Sequence, residues 1–212
     1  MIIDIHIHEK TYSHDSYISL IDIVEKSKEI GLDGICITDH ESNQLKDKAK
    51  EVSIKTGFLI ITGAEVLTYE GDLLVFGLDD IPQEMMSAQE LINIVNSNNG
   101  IAISAHPYRK NNRGIGDNNK ELKGLAGIEA FNGNTPISDN LKGLELAREL
   151  NLPILGGSDA HHLGQVGDFA TYFDLDIKGE SDFIDAVKAG RAEIVNKEYL
   201  YDLKQSTICQ QI

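Results

Sequence analysis

An α/β fold is predicted for this chain of 212 residues, and three observations predict it. Short β-branched runs alternate with longer stretches of helical character, the pattern of strand–helix units. No long linker, low-complexity tract or internal repeat interrupts that alternation, so one domain with a sizeable core is expected. Most histidines fall at or just past the end of a candidate strand. In a parallel barrel or an open sheet those ends gather at one mouth, where ligands bind.

The elements follow in order. Candidate strands occupy 2–7, 34–38, 58–65, 73–78, 101–105, 127–131 and 152–156, with candidate helices at 20–30, 43–56, 88–98 and 138–151. A weaker strand at 169–175 and a helix at 181–189 follow. The expected sheet is largely parallel. The Asn-, Gly- and Lys-rich stretch 110–120 reads as a mobile loop. The domain is expected to span 1–196, and 197–212, which has little pattern, reads as an arm or tail.

Composition narrows the class of function. Hydrophobic residues make up 41% and charged residues 25%, values of a globular chain. No apolar run reaches the roughly 20 residues of a membrane span, and the start lacks the pattern of a signal peptide. Cys36 and Cys209 form neither a disulfide framework nor a thiolate metal motif, so a cytoplasmic location is expected. The formal net charge of −15 opposes binding to long nucleic acid, which draws its affinity from Lys and Arg on phosphates. The chain has no Trp and 6% aromatics, and no basic groove with interleaved aromatics is evident. Nothing reports the oligomeric state.

The candidate site begins at His6 and His8. Strand side chains alternate, so the two imidazoles share one face, about 7 Å apart along the strand, with Ile3, Ile5 and Ile7 on the other. Alone, this pair is a weak metal motif. Asp159 and His161 repeat the i, i+2 spacing after Gly156-Gly157-Ser158. Glu65 adds a carboxylate able to bridge two cations, and His14, His40 and His106 add nitrogen donors. Such mixed sets suit zinc, manganese or iron, whereas magnesium and calcium prefer oxygen. Eight candidate ligands exceed the three or four that one catalytic zinc needs, so two or three ions are expected. His162 should point away from His161. Asp39 reads either as a residue that orients a ligand histidine or as a strand-end cap.

In order, His6-x-His8, His14 within Thr-Tyr-Ser-His-Asp-Ser, Thr38-Asp39-His40, Gly63-Ala64-Glu65, Ala105-His106-Pro107 and Gly157-Ser158-Asp159-Ala160-His161 resemble the PHP (polymerase and histidinol phosphatase) family. The resemblance implies a distorted (β/α)7 barrel, with up to three metals in a cleft at the strand carboxyl ends. It assigns a first metal to His6, His8, Glu65 and Asp159, and a second to Glu65 and His106. A third falls to His14, His40 and His161, with Asp15 as a substitute or support for His14. Asp72 stands where many relatives carry a histidine that binds the second metal; either Asp72 ligates in its place or that site is weak or empty, so two firm ions are expected and a third is open.

The implied activity is phosphate-ester hydrolysis by a metal-activated hydroxide, with Glu65, Asp159 and His161 as the expected catalytic residues. No nucleophile elbow, Walker loop or cysteine-protease signature competes with it. Ser13, Ser104 and Ser158 are expected to bond backbone. Arg109 and Arg191 are the expected phosphate contacts, ahead of Lys110 and Arg113, with Asn132 shaping the pocket. A small phosphorylated metabolite or nucleotide is the expected substrate. The alternatives are trimming of short RNA or DNA ends, a noncatalytic metal-binding regulatory domain, and an amidohydrolase. The last usually needs a strand-end lysine, and none is evident.

Overall fold

The structure, a computed structural model, describes residues 1–202. The predicted alternation is present as β1 (Ile2–Ile7), α1 (Leu20–Ile30), β2 (Gly34–Ile37), α2 (Lys46–Thr56) and β3 (Leu59–Thr62). Then come β4 (Ala64–Leu67), β5 (Asp72–Phe76), α3 (Ala88–Ser97), β6 (Ile101–Ser104) and β7 (Gly127–Asn132). The chain continues through α4 (Ile137–Leu150), β8 (Ile154–Gly157), β9 (Phe169–Phe173), α5 (Glu180–Lys188) and β10 (Ala192–Asn196).

Local chemistry sets the helix ends. Ser19 caps α1 by accepting from the Asp22 N–H, and Ser87 with Glu90 forms a reciprocal capping box on α3. Gly31 and Asn151 close α1 and α4 in the left-handed conformation.

The strands form two five-stranded sheets, ordered β10-β9-β1-β2-β3 and β4-β5-β6-β7-β8. Four neighbouring pairs are parallel and four are antiparallel, so the sheet is not largely parallel as the sequence suggested. One cause is the stretch 58–65, which the sequence reads as one strand. Gly63 divides it into β3 and β4, and β4 then pairs antiparallel with β5.

The two sheets meet at two seams. At one, the Asp159 N–H donates to His6 O and the His8 N–H to Ala160 O. At the other, the Gly63 N–H donates to Ile37 O and the Glu65 N–H to Thr38 O. Both seams lie at the carboxyl ends of β1 and β2, and both run through candidate ligand residues.

Between the sheets, Ile3, Ile5, Cys36, Leu74, Phe76 and Ile103 form an apolar core, joined by Phe183 of α5. Ile7 packs in a different cluster, with α1 and α2. The predicted common face for Ile3, Ile5 and Ile7 therefore breaks, because the register of β1 against β2 shifts between Asp4 and Ile7. His6 and His8 still converge.

Two stretches that the sequence reads as loop and tail carry local structure. The stretch 110–120 is not a free loop: Gly116–Glu121 forms a 3-10 helix, and the Asp72 N–H donates to Arg113 O. Residues 197–202 are helical, and Leu200 is buried against the α1 cluster. The rest of the expected tail, with Cys209, lies outside the described residues. Among the described residues, no helix is long and apolar enough to cross a membrane.

A Cβ at Gly63 would stand 2.5 Å from both the Phe76 ring and Val75 O. Gly63→Ala is expected to destabilise the fold by about 1–3 kcal/mol, a fall in Tm of roughly 2–12 °C in a chain of this size. Calorimetry checks this.

Candidate metal centre

The cluster sits where the seams meet the strand ends. His6 belongs to β1 and His8 follows it, Glu65 lies on β4, and His106 and Asp159 follow β6 and β8. His106 and Asp159 have positive φ angles of 27° and 54°. Non-glycine residues held there cost about 1–3 kcal/mol each and concentrate at functional sites.

The hydrogen bonds of the imidazoles fix which nitrogens face inward. His6 Nδ1 lies 2.9 Å from Glu129 Oε1, and a carboxylate can only accept, so Nδ1 carries the proton. Ser13 Oγ donates to Asp39 Oδ1 at 2.9 Å and stands 3.1 Å from His8 Nδ1. Its one proton is thus committed, and His8 Nδ1 must donate to it. Each Nε2 of the neutral rings then presents a bare lone pair, and the two lie 3.0 Å apart.

More acceptors surround that pair. His8 Nε2 is 3.4 Å from Glu65 Oε2 and 3.2 Å from Asp159 Oδ1. His6 Nε2 is 3.7 Å from Glu65 Oε1 and 3.5 Å from Asp159 Oδ1. Asp159 Oδ1 is buried with no hydrogen-bond partner. Buried lone pairs and carboxylates facing one another require positive charge between them. Without a metal, a proton must serve. Burial pulls His6 down, but Glu129, Asp159 and Glu65 carry its pKa well above the ordinary value. His8 is lowered to about 4, by burial first. Burial opposes the Glu65 charge, but His6, His106 and His40 hold its carboxyl well below the usual range.

A second group adjoins the first through Glu65. His40 Nδ1 is 2.9 Å from Glu65 Oε2, and His40 Nε2 is 3.2 Å from Asp15 Oδ2. His161 Nδ1 donates to Asp159 O at 2.9 Å, which leaves Nε2 bare, 3.3 Å from Asp15 Oδ2. His8, His40 and His161 offer ligand atoms within 4.8 Å of one another, as do His6, His8 and Asp159. The donor sets therefore fit metal ions.

The structure brings together His6, His8, Asp15, His40, Glu65, Asp72, His106, Asp159 and His161. It does not bring in His14, whose side chain is exposed and belongs to none of the clustered donor groups. In the turn after β1, Ser13 points inward and His14 outward, and Asp15 reaches back to both histidines. His162 is also exposed and stacks on Tyr17 with ring centroids 5.0 Å apart.

Of the expected phosphate contacts, Arg109 is at the site. Its guanidinium bonds Asp159 and donates to Asn132 Oδ1 at 2.7 Å. Arg191 is not: just before β10, it pairs with exposed Asp174, which follows β9. Because β9 runs antiparallel to β1, its carboxyl end lies at the opposite end of the sheet from the histidines.

Two supporting residues escape the sequence reading. Glu129, fully buried on β7, accepts from His6 Nδ1, from the His106 N–H at 3.0 Å and from Asn132. Only its inward register on a strand could have signalled it. Ser13 was expected to bond backbone; it does accept from the His40 N–H, but it also links His8 to Asp39. Asp39 thereby holds the His8 ring in place through Ser13. Burial raises its carboxyl to about 7. Partners that orient ligand histidines typically contribute about 10–100-fold in metal affinity. Glu129→Ala should therefore weaken metal binding by roughly that factor, while His14→Ala leaves it unchanged. Competition titration with a chromophoric chelator measures both.

A PHP domain model matches residues 4–126, and a PHP-associated model matches residues 138–192. An uncharacterised protein of Methanocaldococcus jannaschii is 32% identical over 140 residues, which cover 61% of this chain and 80% of that protein. Among solved structures, a protein of Bifidobacterium adolescentis assigned as a metal-dependent phosphoesterase superposes with a TM-score of 0.65 at 20% identity. That match covers 76% of this chain and 88% of the other. The lesion-specific endonuclease EndoQ of Pyrococcus furiosus also gives 0.65, at 16% identity, over 91% of this chain and 57% of its own. These structural likenesses establish the shared α/β fold. With its ordered motifs and a matching domain model across more than half its length, the chain belongs to the PHP family.

Proposed function

We propose that the chain hydrolyses phosphate esters of small metabolites or nucleotides, with monoesters favoured over oligonucleotides. The observation that carries this reading is the set of bare nitrogens on His6, His8 and His161, facing the carboxylates of Glu65, Asp159 and Asp15 beside a guanidinium. Bound there, divalent zinc, manganese or iron would lower the pKa of a water and neutralise charge developing on the phosphoryl oxygens. We also read the two bridged sheets as one distorted barrel, with the cluster at its mouth.

The protein side chains bind and orient. His6, His8, Glu65 and Asp159 would hold one ion, and Asp15, His40 and His161 another. Glu65 faces both groups, one oxygen on His106 at 2.8 Å and the other on His40 at 2.9 Å. Arg109 is steadied by Asn132 and Thr135 and is only partly buried, so its remaining donors can meet a phosphate. Lys110 follows it in the loop. Because Arg109 also contacts Asp159, a phosphate held by it would lie close to the first ion.

The likeness to an endonuclease supports a second reading, cleavage of nucleic-acid ends. The formal net charge of −15 weighs against it, because a polyanion must be gathered by surface cations. A cytoplasmic setting suits either reading.

The test is metal analysis after purification without chelator, followed by assay of phosphate monoesters, dinucleotides and single-stranded oligonucleotides with added manganese. Monoester turnover is expected. His8→Ala should reduce it by more than the roughly 10–100-fold that loss of a supporting partner costs. A fully metallated protein inert on every phosphate substrate would overturn the proposal. Release of mononucleotides with poor monoester turnover would favour the nuclease.

A further inference from the structure

Glu65, Asp72 and His106 form a third group whose ligand atoms lie within 4.8 Å of one another. A cationic side chain already stands in it. Arg113 Nε donates to Asp72 Oδ2 at 2.6 Å, and its Nη2 lies 3.7 Å from Glu65 Oε2 and 3.5 Å from His40 Nδ1. His106 Nε2 meets Glu65 at 2.8 Å, and its distance to Asp72 is 3.7 Å.

The backbone beneath Arg113 is fastened on two sides. The Asp72 N–H donates to Arg113 O at 2.9 Å, and the Gly116 N–H donates to Pro107 O at 2.7 Å. A Cβ at Gly71 would meet Ile115 N at 2.7 Å and Arg113 O at 2.8 Å. A Cβ at Gly114 would meet Pro107 O at 2.4 Å. Glycines at both positions let this loop press onto the start of β5. Arg113 is thus delivered to Asp72 by packing that does not depend on its own side chain.

We infer that Arg113 serves as a built-in cation in place of one metal ion, with Asp72 as its anchor. The inference rests on the metal-dependent reading proposed above. A guanidinium supplies a permanent positive charge beside Glu65 and engages Asp72 Oδ2, the oxygen that faces His106 Nε2 at 3.7 Å. A dication between Asp72 and His106 would face that charge at close range, so the third group stays without metal while Arg113 remains. The chain then works with two exchangeable ions and one fixed cation.

The experiment counts metal. The full chain is loaded with manganese, desalted and analysed by plasma mass spectrometry, and Arg113→Gln is treated alike. The expected result is two ions per wild-type chain and three for Arg113→Gln. Crystals of the manganese-loaded wild type should show two anomalous peaks, with none bounded by Asp72 and His106, which decides the matter even if the variant fails to fold. Three ions in the wild type, or a peak between Asp72 and His106, would overturn the inference and leave the phosphoesterase reading intact. A folded Arg113→Gln that still holds two ions would also overturn it. Fewer than two ions in the wild type would overturn both.

Discussion

Two imidazole nitrogens, His6 Nε2 and His8 Nε2, face each other 3.0 Å apart in a fully buried pocket. Each ring is held from behind, one by Glu129 and the other by the Ser13–Asp39 relay, so neither can turn away to hide its lone pair. Glu65 and Asp159 close on the same space. Such an arrangement is costly until positive charge enters it. Most of what surrounds the site follows from this constraint.

The two seams answer it structurally. Several of the backbone bonds that join the sheets are made by candidate ligand residues, among them Asp159 to His6 and Glu65 to Thr38. Sheet closure and ligand convergence are therefore one event. Close backbone approach supports it: at Gly157, a Cβ would come within 2.6 Å of His6 Cβ and 2.7 Å of Glu129 Oε1. The strained φ angles of His106 and Asp159 are sustained because the surrounding bonds over-determine them.

Much of this was legible in the sequence. The i, i+2 pairs and the strand-end histidines gave the cluster, since strand periodicity is local and strand ends are marked by turn residues. What escaped depends on tertiary pairing. Gly63 splitting one apparent strand, and half the strand pairs being antiparallel, follow from which edges meet. His14 and Asp15 are adjacent, and only the turn geometry decides which points inward. Arg191 lies away from the cluster because β9 and β10 run antiparallel to each other and β9 antiparallel to β1, which carries the start of β10 to the far end of the sheet. Glu129 lay within an apolar strand with no motif around it. Asp72 was legible as a departure from the family pattern, but its partner Arg113, 41 residues away, was not.

The central claim is that His6 and His8 are locked as Nδ1–H tautomers and present Nε2 to a metal. Nitrogen NMR of histidine-labelled, zinc-loaded protein tests it directly. The account predicts that both residues show a protonated Nδ1 and a metal-shifted Nε2, with the metal shift lost on chelation. Coordination through Nδ1 of either ring, or rings whose Nε2 signals do not respond to zinc, would contradict it.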